Sequence, residues 1–205
     1  MKATDDYYIK QYEMLHKANA DYGKTSQNKL AILNRLIVEL NAKDILDYGC
    51  GKSRLAVDAA QTHNIKSTLY DPAIDEYKQK PKKNFDLLIC TDVLEHIPEH
   101  HISNLLAELS SYSDKAFLTI STRKATHYLP DGQNAHVTVE SPDFWIAHIS
   151  KFYDSLFTLY NKQRKVLYVL TWKPTNLNKF YLYYHVKLSM QIKNILSKLR
   201  QVLKF

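Results

Sequence analysis

Apolar positions along the chain follow two periods. Four short, nearly continuous apolar runs, at residues 45–48, 65–70, 85–92 and 116–121, predict buried strands. The third run, Phe85-Asp86-Leu87-Leu88-Ile89-Cys90-Thr91-Asp92, has the pattern of a parallel strand covered on both faces. Between and before these runs, apolar residues return every three or four positions. Leu30, Leu33, Leu36, Ile37 and Leu40 predict a helix over 27–41, and further helices are expected from Leu55, over 99–112 and from Ser141-Pro142. Tyr7, Tyr8, Tyr12, Leu15 and Tyr22 predict a helix over 5–22, either capping the core or forming an aromatic lid over a ligand site. Residues 156–160 and 166–172 read as two closing strands joined by a polar turn. Alternating strands and helices with a terminal hairpin predict an α/β three-layer sandwich with a mostly parallel, Rossmann-like sheet.

Composition narrows this picture modestly. At 205 residues, with 45% hydrophobic and 24% charged residues, the chain suits one globular domain with a full core. Residues 1–10 carry no secretory pattern, and no apolar run reaches the length of a membrane span, so a cytoplasmic location is expected. Cys50 and Cys90, each at a strand end, are expected as free core thiols. The net charge of +7 is unevenly placed: residues 1–154 hold 18 Lys and Arg against 21 Asp and Glu, whereas residues 155–205 hold 10 and none. The boundary expected from this shift divides a body at 1–175, with a helical cap at 1–42, from a basic amphipathic helix at 176–205. In that helix Leu188, Ile192, Ile195, Leu196, Leu199, Val202 and Leu203 share one face, and Lys187, Lys193, Lys198, Arg200 and Lys204 occupy the rest. Docking on the body or on a second copy, peripheral attachment to an anionic membrane surface, and a grip on nucleic acid all remain open for it.

Candidate chemistry gathers at the strand ends. Asp47-Tyr48-Gly49-Cys50-Gly51-Lys52-Ser53 follows the first strand and opens a helix, an arrangement that brings backbone and free N–H groups toward a nucleotide-like ligand. Gly49 and Gly51 are expected to leave the ligand the space a Cβ would fill. Asp71, twenty residues beyond Gly51, ends the second strand where a carboxylate can accept both hydroxyls of a ribose.

These residues resemble the class I S-adenosylmethionine-dependent methyltransferases over about residues 40–172. Asp47-x-Gly49-x-Gly51 is similar to the family's first motif, Asp71 to its ribose-binding acid, and residues 85–98 to its fourth-strand motif. The resemblance implies S-adenosylmethionine as cofactor, with Asp47, Gly49 and Gly51 at its methionine end, Asp71 on the ribose, and Thr91 with Asp92 bordering the reacting centre. Ser53 replaces the usual third glycine, and the interval from Asp71 to Phe85 is too short for the family's third strand, so no adenine contact is assigned.

Methyl transfer to oxygen needs a base, and His136 and His96 stand where the fold places ligands. The expected acceptor is the oxygen or nitrogen of a small molecule or glycan, because the mildly acidic body disfavours a large nucleic acid across the active face. A second reading joins Asp92, Glu95 and His96 on one helical face with His136. That set resembles the small-RNA 3′-terminal 2′-O-methyltransferases and implies a metal-assisted ribose methylation. Val-Leu-Glu-His-Ile also occurs widely in the family without metal, and no metal ligand is assigned. A non-catalytic cofactor-binding or membrane-attached adaptor is the third reading.

Overall fold

The computed structural model describes residues 6–188. Its strands are β1 (Asp44–Tyr48), β2 (Lys66–Tyr70), β3 (Leu87–Thr91), β4 (Ala116–Ser121), β5 (Phe157–Asn161) and β6 (Val166–Leu170). They form one sheet in the order β2-β1-β3-β4-β6-β5. The first four are mutually parallel, and β6 runs antiparallel between β4 and β5, as the sequence pattern predicts. No strand forms between Asp71 and Leu87, so β2 is left at the sheet edge.

The period of two along each strand sorts the core into two halves. Leu46, Leu88, Cys90, Leu118 and Ile120 face α4 (Glu99–Tyr112) and α5 (Pro142–Ile149), where Trp145 is fully buried. Ile45, Leu87, Ile89 and Phe117 face α2 (Leu30–Leu40) and α3 (Leu55–His63). Both cysteines are free and buried. The helix expected over 27–41 begins as a short 3-10 segment, Thr25–Lys29, before the α-helical turns.

Helix α1 (Asp6–Ala18) packs against neither half of the core. Its Leu15, with Tyr8, Tyr12 and Tyr22, forms a third cluster with Leu129, Ala135 and Val137 of the loop after β4. Tyr7 donates to Asp131 at 2.5 Å, and the Asp131 amide donates to Gln11 at 3.2 Å. These N-terminal aromatics therefore cover the loop after β4 rather than the main core, the placement that the lid reading expects.

Helix α6 (Asn176–Tyr183) lies against α2: Leu182 and Val186 are buried there, and Arg35 sits 4.2 Å over the Tyr181 ring. Arg35 also donates to Asn178, which in turn donates to Glu39. The start of the basic tail is thus docked on the body, while the amphipathic pattern from residue 189 onward lies outside the described residues. Among the described residues no helix is long and apolar enough to cross a membrane.

Ser141 caps α5 as its sequence suggests, its hydroxyl accepting from the Phe144 amide at 3.2 Å. Replacing it with alanine orphans that amide, and Ser141→Ala is expected to cost ~1 kcal/mol in urea denaturation.

Candidate active site

The carboxyl ends of β1, β3 and β4 open into a cavity of about 500 Å³. It lies at the crevice where the strand order reverses beside β1, the usual ligand position in an open α/β sheet. Gly49, Gly51, Asp71, Thr91, Asp92, Glu95, His96 and His136 all line it, so distant stretches of the chain converge there as expected. Asp47 does not line the cavity. It is 2% exposed, buried behind the glycine turn. Burial, with the nearby Asp71 charge, pushes the Asp47 carboxyl up to about 7.

The glycines are required for a reason different from the one expected. Gly49 and Gly51 have φ of +72° and +55°, a region costly for other residues. A Cβ on Gly49 would lie 2.5 Å from Val93, and one on Gly51 would lie 2.8 Å from the carbonyl oxygen of Gly23. What approaches the turn closely is therefore the protein itself, Val93 after β3 and Gly23 after α1. The Lys52 amide donates to Gly23 at 3.0 Å, and its ammonium donates to the carbonyls of His16 and Asn19 at 2.6 and 3.0 Å. Lys52 thereby ties off the last carbonyls of the lid helix. A Tyr-Gly break near the helix end is visible in the sequence, but its partner at Gly51 and Lys52, almost thirty positions away, is not.

Asp71 is set by two backbone amides, Gly51 on one carboxylate oxygen and Ala73 on the other, each at 2.9 Å. Each oxygen keeps a lone pair for a further donor.

Asp92 takes a left-handed conformation, φ +58°, before the 3-10 turn Leu94–His96. The helical face expected to carry Asp92, Glu95 and His96 together does not form. Instead Asp92 accepts from Thr119 at 2.8 Å and from the ammonium of Lys29 at 2.8 Å. The Lys29 side chain is 5% exposed, and its charge also acts on Asp47 and Glu95. Nothing in the sequence distinguishes Lys29 from other lysines at a helix start.

Glu95 is fully buried. One carboxylate oxygen accepts from the Ser121 amide at 2.8 Å, and the other has no partner among the described residues. Burial and the charge of Asp92 push it up to about 8. His96 and His136 pack edge to face with ring centres 4.8 Å apart. Each ring holds its Nδ1 against a carbonyl at 2.6 Å, Ala135 for His96 and Arg123 for His136. A carbonyl only accepts, so each neutral ring carries its proton on Nδ1 and keeps its lone pair on Nε2. Burial pushes His96 down to about 3 and holds His136 below the ordinary imidazole range. Glu95, His96 and His136 each offer one ligand atom, all within 4.8 Å of one another.

A glycine turn, an acid at the end of β2 and a lined cavity over the switch point are together the arrangement expected for a nucleotide-type cofactor. The family described as Methyltransferase domain matches residues 16–161. The chain belongs to that family, the class I S-adenosylmethionine-dependent methyltransferases. No curated protein sequence matches the chain. Among solved structures, the methyltransferase domain of bacterial CtHen1 (CN form) is 16% identical, with TM-score 0.52 over 72% of this chain and 99% of that one. The Burkholderia thailandensis 1,6-didemethyltoxoflavin-N1-methyltransferase is 13% identical, with TM-score 0.53 over 83% and 89%. Human N-acetylserotonin methyltransferase is 13% identical, with TM-score 0.50 over 82% and 56%. At these identities the likeness is one of fold.

Two expectations follow from the charges. Asp47 favours its protonated form when folded, so its contribution to stability is present in acid and lost as pH rises from about 4 through about 7. Asp47→Asn should therefore gain stability relative to wild type as pH rises from 4 to 8, in denaturation of the cofactor-free protein; a pH-independent difference would contradict this. Lys29→Met removes the buried counter-charge of Asp92 and should cost ~3 kcal/mol at neutral pH, with Lys29→Arg recovering part of it.

Proposed function

We propose that this enzyme transfers the methyl group of S-adenosylmethionine to an oxygen or nitrogen of a small molecule or glycan, with His136 as general base. One observation carries the reading. His136 keeps its Nε2 lone pair in the cavity, with Nδ1 anchored to Arg123 at 2.6 Å, and the same cavity is lined by the turn that resembles the family's cofactor motif.

The residues present suit the cofactor. Gly49 and Gly51 form its methionine-end floor, and Asp71, already oriented by two amides, accepts the ribose hydroxyls. Thr91 and Asp92 border the reacting centre, and Asp47 supports the turn from behind. When bound, S-adenosylmethionine supplies an electrophilic methyl on a cationic sulfur, and the buried carboxylates give that charge a favourable surrounding. His136 takes the proton of the acceptor, while His96, pushed to about 3, stays neutral and orients the acceptor by accepting a hydrogen bond. The lid carrying Tyr12 and Tyr22 excludes water over the site. The toxoflavin methyltransferase of the same fold is bound to a small-molecule acceptor together with S-adenosylhomocysteine.

A second reading rests on a separate observation, the unpartnered buried oxygen of Glu95 beside two Nε2 lone pairs. A divalent cation fits that donor set, and it would polarise an acceptor hydroxyl such as a ribose 2′-OH in RNA. Asp92, held by Lys29 and Thr119, takes no part in it.

Titration calorimetry should show binding of S-adenosylmethionine, weakened at least ~10-fold by Asp71→Ala through loss of charge-assisted hydrogen bonds. No binding to the intact protein would sink both enzyme readings and leave a non-catalytic adaptor. With an acceptor found by screening against labelled cofactor, His136→Ala should lower kcat by ~10²–10⁴ with cofactor affinity nearly intact. Loss of activity on chelation, restored by a divalent ion, would select the metal reading over the first.

A further inference from the structure

Charge in the cavity is divided between its two ends. Asp71, Asp92 and Glu95 line the cavity at the ends of β2 and β3, with Lys29 among them and Asp47 buried behind the glycine turn. At the opposite rim the lining is cationic: Arg123 and Lys124 from the segment after β4, and Arg164 from the turn between β5 and β6. All three side chains are exposed, and none has a hydrogen-bond or ion-pair partner among the described residues.

Backbone pairing brings the segments that carry Arg123 and Arg164 together. In the antiparallel ladder of β4 and β6, Ser121 stands opposite Val166. The amide and hydroxyl of Thr122 then both donate to the carbonyl of Lys165, at 2.8 and 3.1 Å. Arg123 and Arg164 come next on the two sides. Like charges brought opposite one another oppose folding unless a counter-charge joins them. Among the described residues no acid pairs with them: of the cavity acids, Asp21 pairs with Lys24 and Asp92 with Lys29, and the loop acids Asp131 and Glu140 do not line the cavity.

The carbonyl of Arg123 accepts from His136 at 2.6 Å, so this cationic rim is anchored directly to the imidazole that the preceding reading makes the base. Two guanidinium forks and an ammonium suit a phosphate, which offers three oxygens and up to two charges. Resting on the methyltransferase reading, we propose that the acceptor is a small phosphomonoester whose phosphate is gripped by Arg123, Arg164 and Lys124, presenting its acceptor atom to His136. The acidic end of the cavity then takes the cationic cofactor and the basic rim the anionic acceptor. Each ligand is thereby excluded from the other's place.

The test uses the full chain saturated with S-adenosylhomocysteine, titrated with phenyl phosphate, with the dinucleoside phosphodiester uridylyl-uridine and with benzoate. Phenyl phosphate should bind most tightly, and the Arg123→Gln/Arg164→Gln double variant should lose at least ~10-fold of that affinity. Affinity for S-adenosylhomocysteine should stay within ~2-fold, since neither arginine touches the cofactor end. Lys162→Gln, a cation of the same turn that does not line the cavity, should leave phosphate binding unchanged. Equal binding by wild type and double variant, or an equal loss in Lys162→Gln, overturns the grip. Tighter binding of the phosphodiester than of phenyl phosphate overturns the small-molecule acceptor in favour of a nucleic-acid end. Failure of S-adenosylhomocysteine to bind wild type would instead bring down the methyltransferase reading itself, a separate and recognisable result.

Discussion

Four carboxylates meet at the carboxyl edge of the sheet, and a single buried ammonium, Lys29, lies among them. Asp92 accepts from it directly at 2.8 Å, while Asp47 and Glu95 feel its charge without contact. In a low-dielectric interior such a concentration of acids would repel itself and raise its own proton affinity. Lys29 offsets part of that cost, and backbone amides offset another part by donating to Asp71 and Glu95. The remainder shows in the raised carboxyls of Asp47 and Glu95, which retain unpartnered oxygens. The site is therefore left with a standing preference for positive charge, which the sulfonium cofactor of this family meets.

That constraint ties the N-terminal segment to the catalytic edge. Lys29 ends the 3-10 turn that follows the lid, and Gly23 touches the glycine turn from the same segment. Lys52, within that glycine turn, closes the last carbonyls of the lid helix. The glycine turn and α1 are thus one assembly, joined by these backbone contacts. The same economy governs the two histidines, whose rings are fixed by carbonyls of the loop that the lid covers.

At the other end of the cavity the hairpin of β5 and β6 does more than close the sheet. Its turn pairs with the segment after β4 through Lys165 and Thr122, and Arg164 of that turn lines the cavity together with Arg123 and Lys124. In a fold shared among methyltransferases, loops are where such differences arise, while the sheet edge stays constant.

Much of this was legible in the chain itself, because it depends on local pattern. Apolar period fixed the strands and helices, and the short interval from Asp71 to Phe85 correctly foretold the absent strand at the sheet edge. Motif spacing placed Gly49, Gly51, Asp71, Thr91 and Asp92 in one cavity, because residues that end parallel strands must share an edge. Spacing misjudged Asp92, whose left-handed backbone breaks the helical face that would have joined it to Glu95 and His96. It also misjudged what crowds the glycines, since Gly23 and Val93 reach them from outside the motif. Lys29 and the opposed Arg123 and Arg164 carry no local signature, and only tertiary structure selects them. A charge acquires its role from which other charges are brought within a few ångströms, and that is decided by chain crossings far apart in sequence.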